Sequence, residues 1–429
     1  MQVKKVNDIL KQVLEKIEPP EEDMKIINNS IKDFKEKVEE KIKKLRIDCE
    51  IFVGGSFAKG TMIKKDYYDA DIFLRFGKKY RDEEISLLSK RILEDFVNVS
   101  VIHGSRDYFK IMISPDFFIE VVPVMKVKNP KESKNITDLS YSHVRYVKRK
   151  IKYEKVLDDV KIVKVFCYAN NCYGAESYIR GFSGYGLELL VYYYGSFLKF
   201  VKEISKAKDK IIIDIEKHYK NKNEILIDVN NSKLKSPIVL IDPTYKQRNA
   251  LAALSDETFE KFQKVCRKFL DNPSVKDFEV KKVDLKRIKE NAEKKNYEFV
   301  LLEARTEKQE GDIAGSKLLK FYNHLGSELE KFFDIKDKGF NYNGKKSARF
   351  FFVVKKGKEI LFDGPSLKDK KNLLKFKKRH KKVFERKGRI YAKKKIEMNA
   401  EDFVKKWRIK NKKRIKEMSV KDLKFNSCI

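Results

Sequence analysis

Residues 54–61 read GGSFAKGT, and eight residues later 69–74 read DADIFL. The apolar run Ile51-Phe52-Val53 predicts a strand that enters Gly54-Gly55-Ser56, and 57–62 predict a turn of helix. Glycines at a strand-to-helix turn let a phosphate approach the backbone, with free N–H groups at the helix start. Ser56 can donate a hydroxyl there and Lys59 can reach a phosphate oxygen. Asp69 and Asp71 stand at i and i+2, so on a strand both side chains point to one face. Two carboxylates so placed repel unless a cation holds them, which is the arrangement that metal-assisted phosphoryl transfer needs. The flanking Ile72, Phe73 and Leu74 predict that this strand is buried.

A third acid is expected on a neighbouring strand. Glu120 lies inside FFIEVVPVMKV (117–127), a strongly β-like run. An unpaired carboxylate buried there would be costly; alternation equally permits an outward-facing Glu on an edge strand. The ordered set Gly-Gly-Ser, Asp-x-Asp and an acid in a β run is far more specific than any of its parts.

Working outward, apolar residues at i, i+3 and i+4 spacing predict two helices within 4–46, interrupted at Pro19-Pro20. From about 138 to 255 the pattern is mostly helical, with a less regular segment at 211–247. From about 278 β-like runs return (YEFVLLEAR, SARFFFVVKK, EILFDG) around a helix near 312–333, and the chain is expected to end in a basic helical tail. The division expected from this pattern is 1–137, mixed α and β; 138–256, mostly helical; and 257–429, α+β with the basic tail.

With 429 residues and 41% apolar content, the chain can bury several cores, and its formal net charge of +34 predicts a polyanionic partner. Residues 366–429 hold 25 Lys and Arg against 7 Asp and Glu, more than half of that excess. Phe376, Phe384, Tyr391, Phe403 and Trp407 are interleaved with this charge. Such a mixture suits stacking beside phosphate contacts, and equally an amphipathic helix packed on its own domain. No apolar run approaches the ~20 residues of a membrane span. The N-terminal MQVKKVNDIL lacks an apolar signal-peptide core. Five scattered cysteines (Cys49, Cys167, Cys172, Cys266, Cys428) read as reduced thiols, and a cytoplasmic location is expected.

The segments GGSFAKGT, DADIFLRF and IEVVPV together resemble the nucleotidyltransferases of the DNA polymerase β superfamily. YGAESYIRGFSGYGLELLVYYYGSF (173–197) and IDPTYKQRNALAALS (241–255) narrow the likeness to the archaeal class I CCA-adding enzymes, the tRNA nucleotidyltransferases. It is clear from about 45 to 270 and weaker beyond, where GPSL, FKKRH and GRIYA are similar to the family's C-terminal region.

The resemblance implies an α+β fold: a polymerase-β-like catalytic head with an antiparallel sheet over 1–137, a helical neck that binds nucleotide and tRNA over 138–256, and a tRNA-binding α+β body with a basic tail over 257–429. It implies addition of C, C and A to tRNA 3′ ends from CTP and ATP with Mg²⁺, CCACCA tagging of unstable tRNAs, and a homodimer. Asp69, Asp71 and Glu120 match the family's metal-binding carboxylates, although the family often has Glu at the first position and Asp at the third. Ser56 and Lys59 match triphosphate contacts; His143, Lys164 and Tyr173 match residues that bind the nucleotide; Arg248 matches an arginine near its base. On their own these four read differently: His143 as a satisfied histidine, Lys164 as a solvated charge, Tyr173 as a helix cap, Arg248 as half of an ion pair, with Asp242 a candidate partner. A poly(A) polymerase-like terminal transferase and a catalytically inactive RNA-binding protein are the alternatives.

Overall fold

The computed structural model describes residues 2–104, 106–281, 283–355, 359–380, 382–395 and 398–426. The chain forms two compact units, 1–281 and 282–429.

The first unit opens with helices α1 (Gln2–Ile17) and α2 (Glu21–Lys44), separated at Pro19-Pro20 as the missing proline N–H requires. A sheet follows: β1 (Cys49–Val53), a one-turn helix α3 (Gly55–Ala58), β2 (Tyr68–Phe76), α4 (Asp82–Ile92), β3 (Val99–Ile102), β4 (Tyr108–Ser114) and β5 (Phe117–Met125). The strand order is β1-β2-β5-β4-β3. All neighbours are antiparallel except β2 with β5, which run parallel with Asp71 opposite Glu120. Ile72, Leu74 and Phe76 alternate into a core shared with Ile27, Ile31, Phe34 and Val38 of α2.

Helices α5 (Ser140–Lys150), α6 (Glu154–Ala169), α7 (Gly184–Tyr194) and α8 (Phe197–Lys206) come next. They are followed by β6 (Ile211–Asp214), α9 (Lys222–Asp228), β7 (Ile238–Asp242), β8 (Tyr245–Asn249) and α10 (Asp256–Asp271). The segment expected to be irregular holds a three-stranded sheet, β6-β7-β8. Its central strand is buried along its whole length, so no polar–apolar alternation marked it. Helix α10 belongs to the first unit: Phe262, Cys266 and Phe269 pack in one core with Phe166, Phe197 and Phe200.

The second unit contains α11 (Leu285–Lys294), β9 (Tyr297–Arg305), α12 (Asp312–Glu330), β10 (Asp334–Tyr342) and β11 (Ser347–Lys355). It continues with β12 (Glu359–Ser366), α13 (Lys370–Arg379), β13 (Val383–Arg386), β14 (Arg389–Lys395), α14 (Ala400–Lys410), α15 (Lys412–Glu417) and β15 (Asp422–Phe425). Two antiparallel sheets result, β10-β11-β9-β15 and β12-β14-β13. The basic tail is therefore not simply helical. It completes both sheets, because Val383-Phe384 and Ile390-Tyr391 find ladder partners across the Lys387-Gly388 turn. Its aromatics divide: Trp407 is buried against Phe321 and Phe403 packs on Phe332, whereas Phe384 is exposed and stacks on Tyr391.

Cys167, Cys172 and Cys266 are buried free thiols and Cys49 is half-buried; Cys428 lies outside the described residues. Among the described residues no helix is long and apolar enough to cross a membrane.

Candidate active site

The glycine pair makes room for the carboxylates. Gly54 donates its N–H to the Asp71 carbonyl at 2.8 Å. A Cβ on Gly54 would lie 2.4 Å from the Phe73 ring, and one on Gly55, which has φ +62°, would lie 1.7 Å from Asp71 Oδ2. Gly55 thus supplies both a left-handed backbone and the space that the Asp71 side chain occupies. Helix α3 is only four residues long, too short to supply the helix-terminus field that the sequence pattern invited. The glycines serve Asp71 instead.

Asp69 and Asp71 project to one face of β2, and Glu120 lies opposite Asp71 on β5. Burial, then the charge of Asp69, pushes the Asp71 carboxyl up to about 6; burial, then Asp71 and Asp69, pushes Glu120 up to about 7. Lys65 bonds Asp69 at 3.2 Å. Among the described residues no three His, Cys, Asp or Glu side chains already converge as a metal cage. The donor chemistry nevertheless fits a hard divalent cation: three carboxylates whose mutual repulsion a dication would relieve.

One cleft of about 220 Å³ collects Gly55, Ser56, Lys59, Asp69, Asp71, Lys164 and Tyr173. Against the lysines lies Glu188, a fully buried carboxylate on α7 flanked by Leu187 and Leu189. It accepts from Lys59 Nζ at 2.7 Å and from Lys164 Nζ at 3.0 Å, while Thr61 Oγ1 accepts from Lys164 at 2.7 Å. Burial pushes the Lys164 ammonium down. Burial opposes ionisation of Glu188, but the two lysines outweigh it and hold the carboxyl below its usual range. Glu188 thus sits as one anion between two cations, and the lysines face Asp69 and Asp71 across the cleft. The cue available in sequence was a lone acid in an apolar helix, which needs a buried partner.

The segment 172–183 positions this helix. Gly174 donates its N–H to the Phe182 carbonyl, Gly181 donates to Gly174 and Phe182 to Cys172; Arg180 takes φ +53°, and the Ser183 hydroxyl caps α7 by accepting from the Gly186 N–H. A Cβ on Gly186 would meet Leu251 at 2.4 Å, so the glycine sets the close seat of α7.

His143 and Arg248 join a second cluster around Asp242, which is fully buried at the end of β7. Arg248 Nη1 and His143 Nε2 donate to Asp242 Oδ2 at 2.6 and 2.9 Å; Tyr185 and Thr244 donate to Oδ1. His143 stacks on Tyr185, ring centroids 4.1 Å apart. Burial disfavours the Asp242 anion, but His143, Arg248 and the Thr244 N–H together hold the carboxyl well below the ordinary range. Burial pushes the His143 imidazole down. The Arg248–Asp242 ion pair open in the sequence is therefore real. Tyr185 and Glu188 stand three apart on α7, so one helix supports both clusters.

Residues 158–279 match the family model described as tRNA nucleotidyltransferase, second domain. The CCA-adding enzyme of Nanoarchaeum equitans is 34% identical over 356 residues, covering 80% of this chain and 83% of that one. The chain belongs to the CCA-adding enzymes. The CCA-adding enzyme of Methanocaldococcus jannaschii is 28% identical over 90% of this chain and 87% of its own length. That of Archaeoglobus fulgidus is 27% identical over 90% and 86%. The fold of the family is also seen in a cytoplasmic RNA terminal U-transferase, with a TM-score of 0.50 at 14% identity over 65% of this chain and all of that one. The Cid1 poly(U) polymerase with Mg and 3′-dATP has a TM-score of 0.50 at 13% identity over 65% and 99%.

Proposed function

We propose that this chain adds C, C and A to the 3′ end of tRNA from CTP and ATP, releasing pyrophosphate at each step, with the cleft between β2 and α7, and Glu120 on the adjoining β5, as its active site. The tRNA 3′-hydroxyl attacks the α-phosphorus in line; a P–O bond forms and the bond to pyrophosphate breaks. Asp69, Asp71 and Glu120 are the residues that would hold Mg²⁺. When bound, the ion neutralises charge on the attacking and leaving oxygens. Glu120, on the strand beside Asp71, is placed to accept the hydroxyl proton. Ser56, Lys59, Lys164 and Tyr173 line the cleft for the triphosphate, and Glu188 keeps the two lysines charged and in place. Arg248 and His143 are held beside the base by Asp242; the Arg248 guanidinium can donate to the ring acceptor that C and A share and U and G lack. The second unit contributes basic surface for tRNA. This division of labour rests above all on one observation: three carboxylates on paired strands beside two lysines tethered to a single buried glutamate.

The test is incubation with tRNA ending at the discriminator base and each nucleoside triphosphate singly, with products sized to the nucleotide. Two additions with CTP alone and a third only when ATP follows support the reading. A long homopolymer from ATP would move the chain to the poly(A) polymerases.

A further inference from the structure

The row of carboxylates continues into aromatic rings. Along β2 the side chains of 69 and 71 share one face, and along β5 Phe118 stands one two-residue step before Glu120 on its face; Tyr67 lies in the bend just before β2. The strands are in register with Asp69 opposite Phe118 and Asp71 opposite Glu120, so the Phe118 ring borders the carboxylates. The Tyr67 ring packs on Phe118 with centroids 5.7 Å apart and planes inclined by 31°. Phe118 is buried beneath it, and Lys110 of β4 lies 3.5 Å over the Phe118 ring. Tyr67 itself keeps 52% of its surface exposed. A large aromatic left half-exposed on a buried ring that borders the carboxylates and carries an ammonium over it is a stacking surface with a phosphate partner close by.

We propose that Tyr67, seated on Phe118, is the platform on which the base of the tRNA's 3′-terminal nucleotide stacks, with Lys110 meeting the phosphate beside it. The proposal rests on the reading of Asp69, Asp71 and Glu120 as the reacting centre, because the terminal ribose must bring its 3′-hydroxyl there. A stacked base then aims that hydroxyl without reading its identity, as the enzyme needs, since the terminal base is first the discriminator base and then C. Every base has a π-face, so one ring serves the discriminator base and each C in turn. Tyr67 is a positioning residue of the primer end and makes no demand on the incoming nucleotide.

The test uses the full chain with Tyr67→Ala and Tyr67→Phe. With tRNA ending in CC as primer, Tyr67→Ala is expected to raise KM for tRNA about tenfold, the loss of one base-stacking contact. KM for ATP and the melting temperature should be unchanged, and Tyr67→Phe should restore tRNA KM because the ring alone is used. A tRNA carrying 2-aminopurine as its last base supplies a readout independent of turnover: its fluorescence should be quenched on binding the parent protein and the Phe variant, and not the Ala variant. An unchanged tRNA KM for Tyr67→Ala, or quenching that survives it, overturns the platform. A rise in KM for ATP instead shows that the ring belongs to the incoming base. Asp71→Asn separates the two readings: if turnover survives that change, the reacting centre is misplaced; if turnover is lost while Tyr67→Ala is silent, only the platform fails.

Discussion

The cleft of the first unit and the basic tail of the second both carry dense charge, and they handle it in opposite ways. In the cleft and in the Asp242 cluster the ions are few, buried and committed: Glu188 is fully buried and holds Lys59 and Lys164, and Asp242 is fully buried and holds Arg248, His143 and the Thr244 N–H. In the tail the ions are many and exposed. Helix α13 buries none of its residues, and pairs such as Lys405–Glu401 are about half exposed at both ends. A buried charge fixes geometry because the cost of losing its partner is large, whereas an exposed charge contributes mainly a field. The first region should therefore fail at single residues and the second only by degrees.

The sharpest break is expected from Asp71→Asn. Removing one of two adjacent anions from the proposed reacting centre should lower incorporation ~10³-fold or more, with folding intact because a repulsion is relieved. Incorporation above a tenth of the parent's would remove Asp71 from the centre. Next, Glu188→Gln should destabilise the first unit by about 3–5 kcal/mol, since Lys164 is left buried without its anion. Denaturant titration measures this. Glu401→Gln in the tail should change stability by no more than about 0.5 kcal/mol, and equal effects at the two sites would erase the contrast.

Arg248→Ala is expected to cost about 1–3 kcal/mol of discrimination, read as a narrowed CTP-to-UTP incorporation ratio. The same substitution removes a partner of Asp242, so a lowered melting temperature with an unaltered ratio would make Arg248 a strut and nothing more. Asp242 also predicts a pH dependence. Its carboxyl is depressed in the folded state, so its stabilisation is present above the ordinary carboxylate range, about pH 4, and is lost as pH falls below it. The stability gap between the parent and Asp242→Asn should be flat from neutral pH to about 5 and shrink in acid.

The smallest effect belongs to the tail. Replacing one α13 lysine that meets a phosphate, for instance Lys375→Gln, should leave KM for ATP unchanged and reduce the slope of log tRNA affinity against log salt by about 1. Point substitution is the right probe. Deleting 366–429 would strip β13, β14 and β15 from two sheets and Trp407 from a core.

Much of the site was readable in sequence because its residues are local and chemically restrictive. Gly-Gly, Asp-x-Asp and the β run around Glu120 each limit the backbone, and the parallel pairing of β2 with β5 brings them together. What escaped reading was long-range. Glu188 looked like a blemish in α7 because Lys59, 129 positions away, is invisible from its neighbours. Strand β7 has no alternation because both its faces are covered. The tail looked helical because Lys and Arg favour helices, while β13 and β14 owe their strands to ladder partners and a glycine turn.

The parallel pairing of β2 with β5 has a kinetic side. Asp71 and Glu120 are neighbours in the sheet only after α4 and the β3–β4 hairpin have been laid down between them. Contacts of such sequence separation form late and slowly. The carboxylate repulsion must then be overcome on the way to the native sheet rather than in a local hairpin. This protein should carry the carboxylates of β2 and β5 as a drag on its own folding rate, and a divalent ion present during refolding should act as an accelerator.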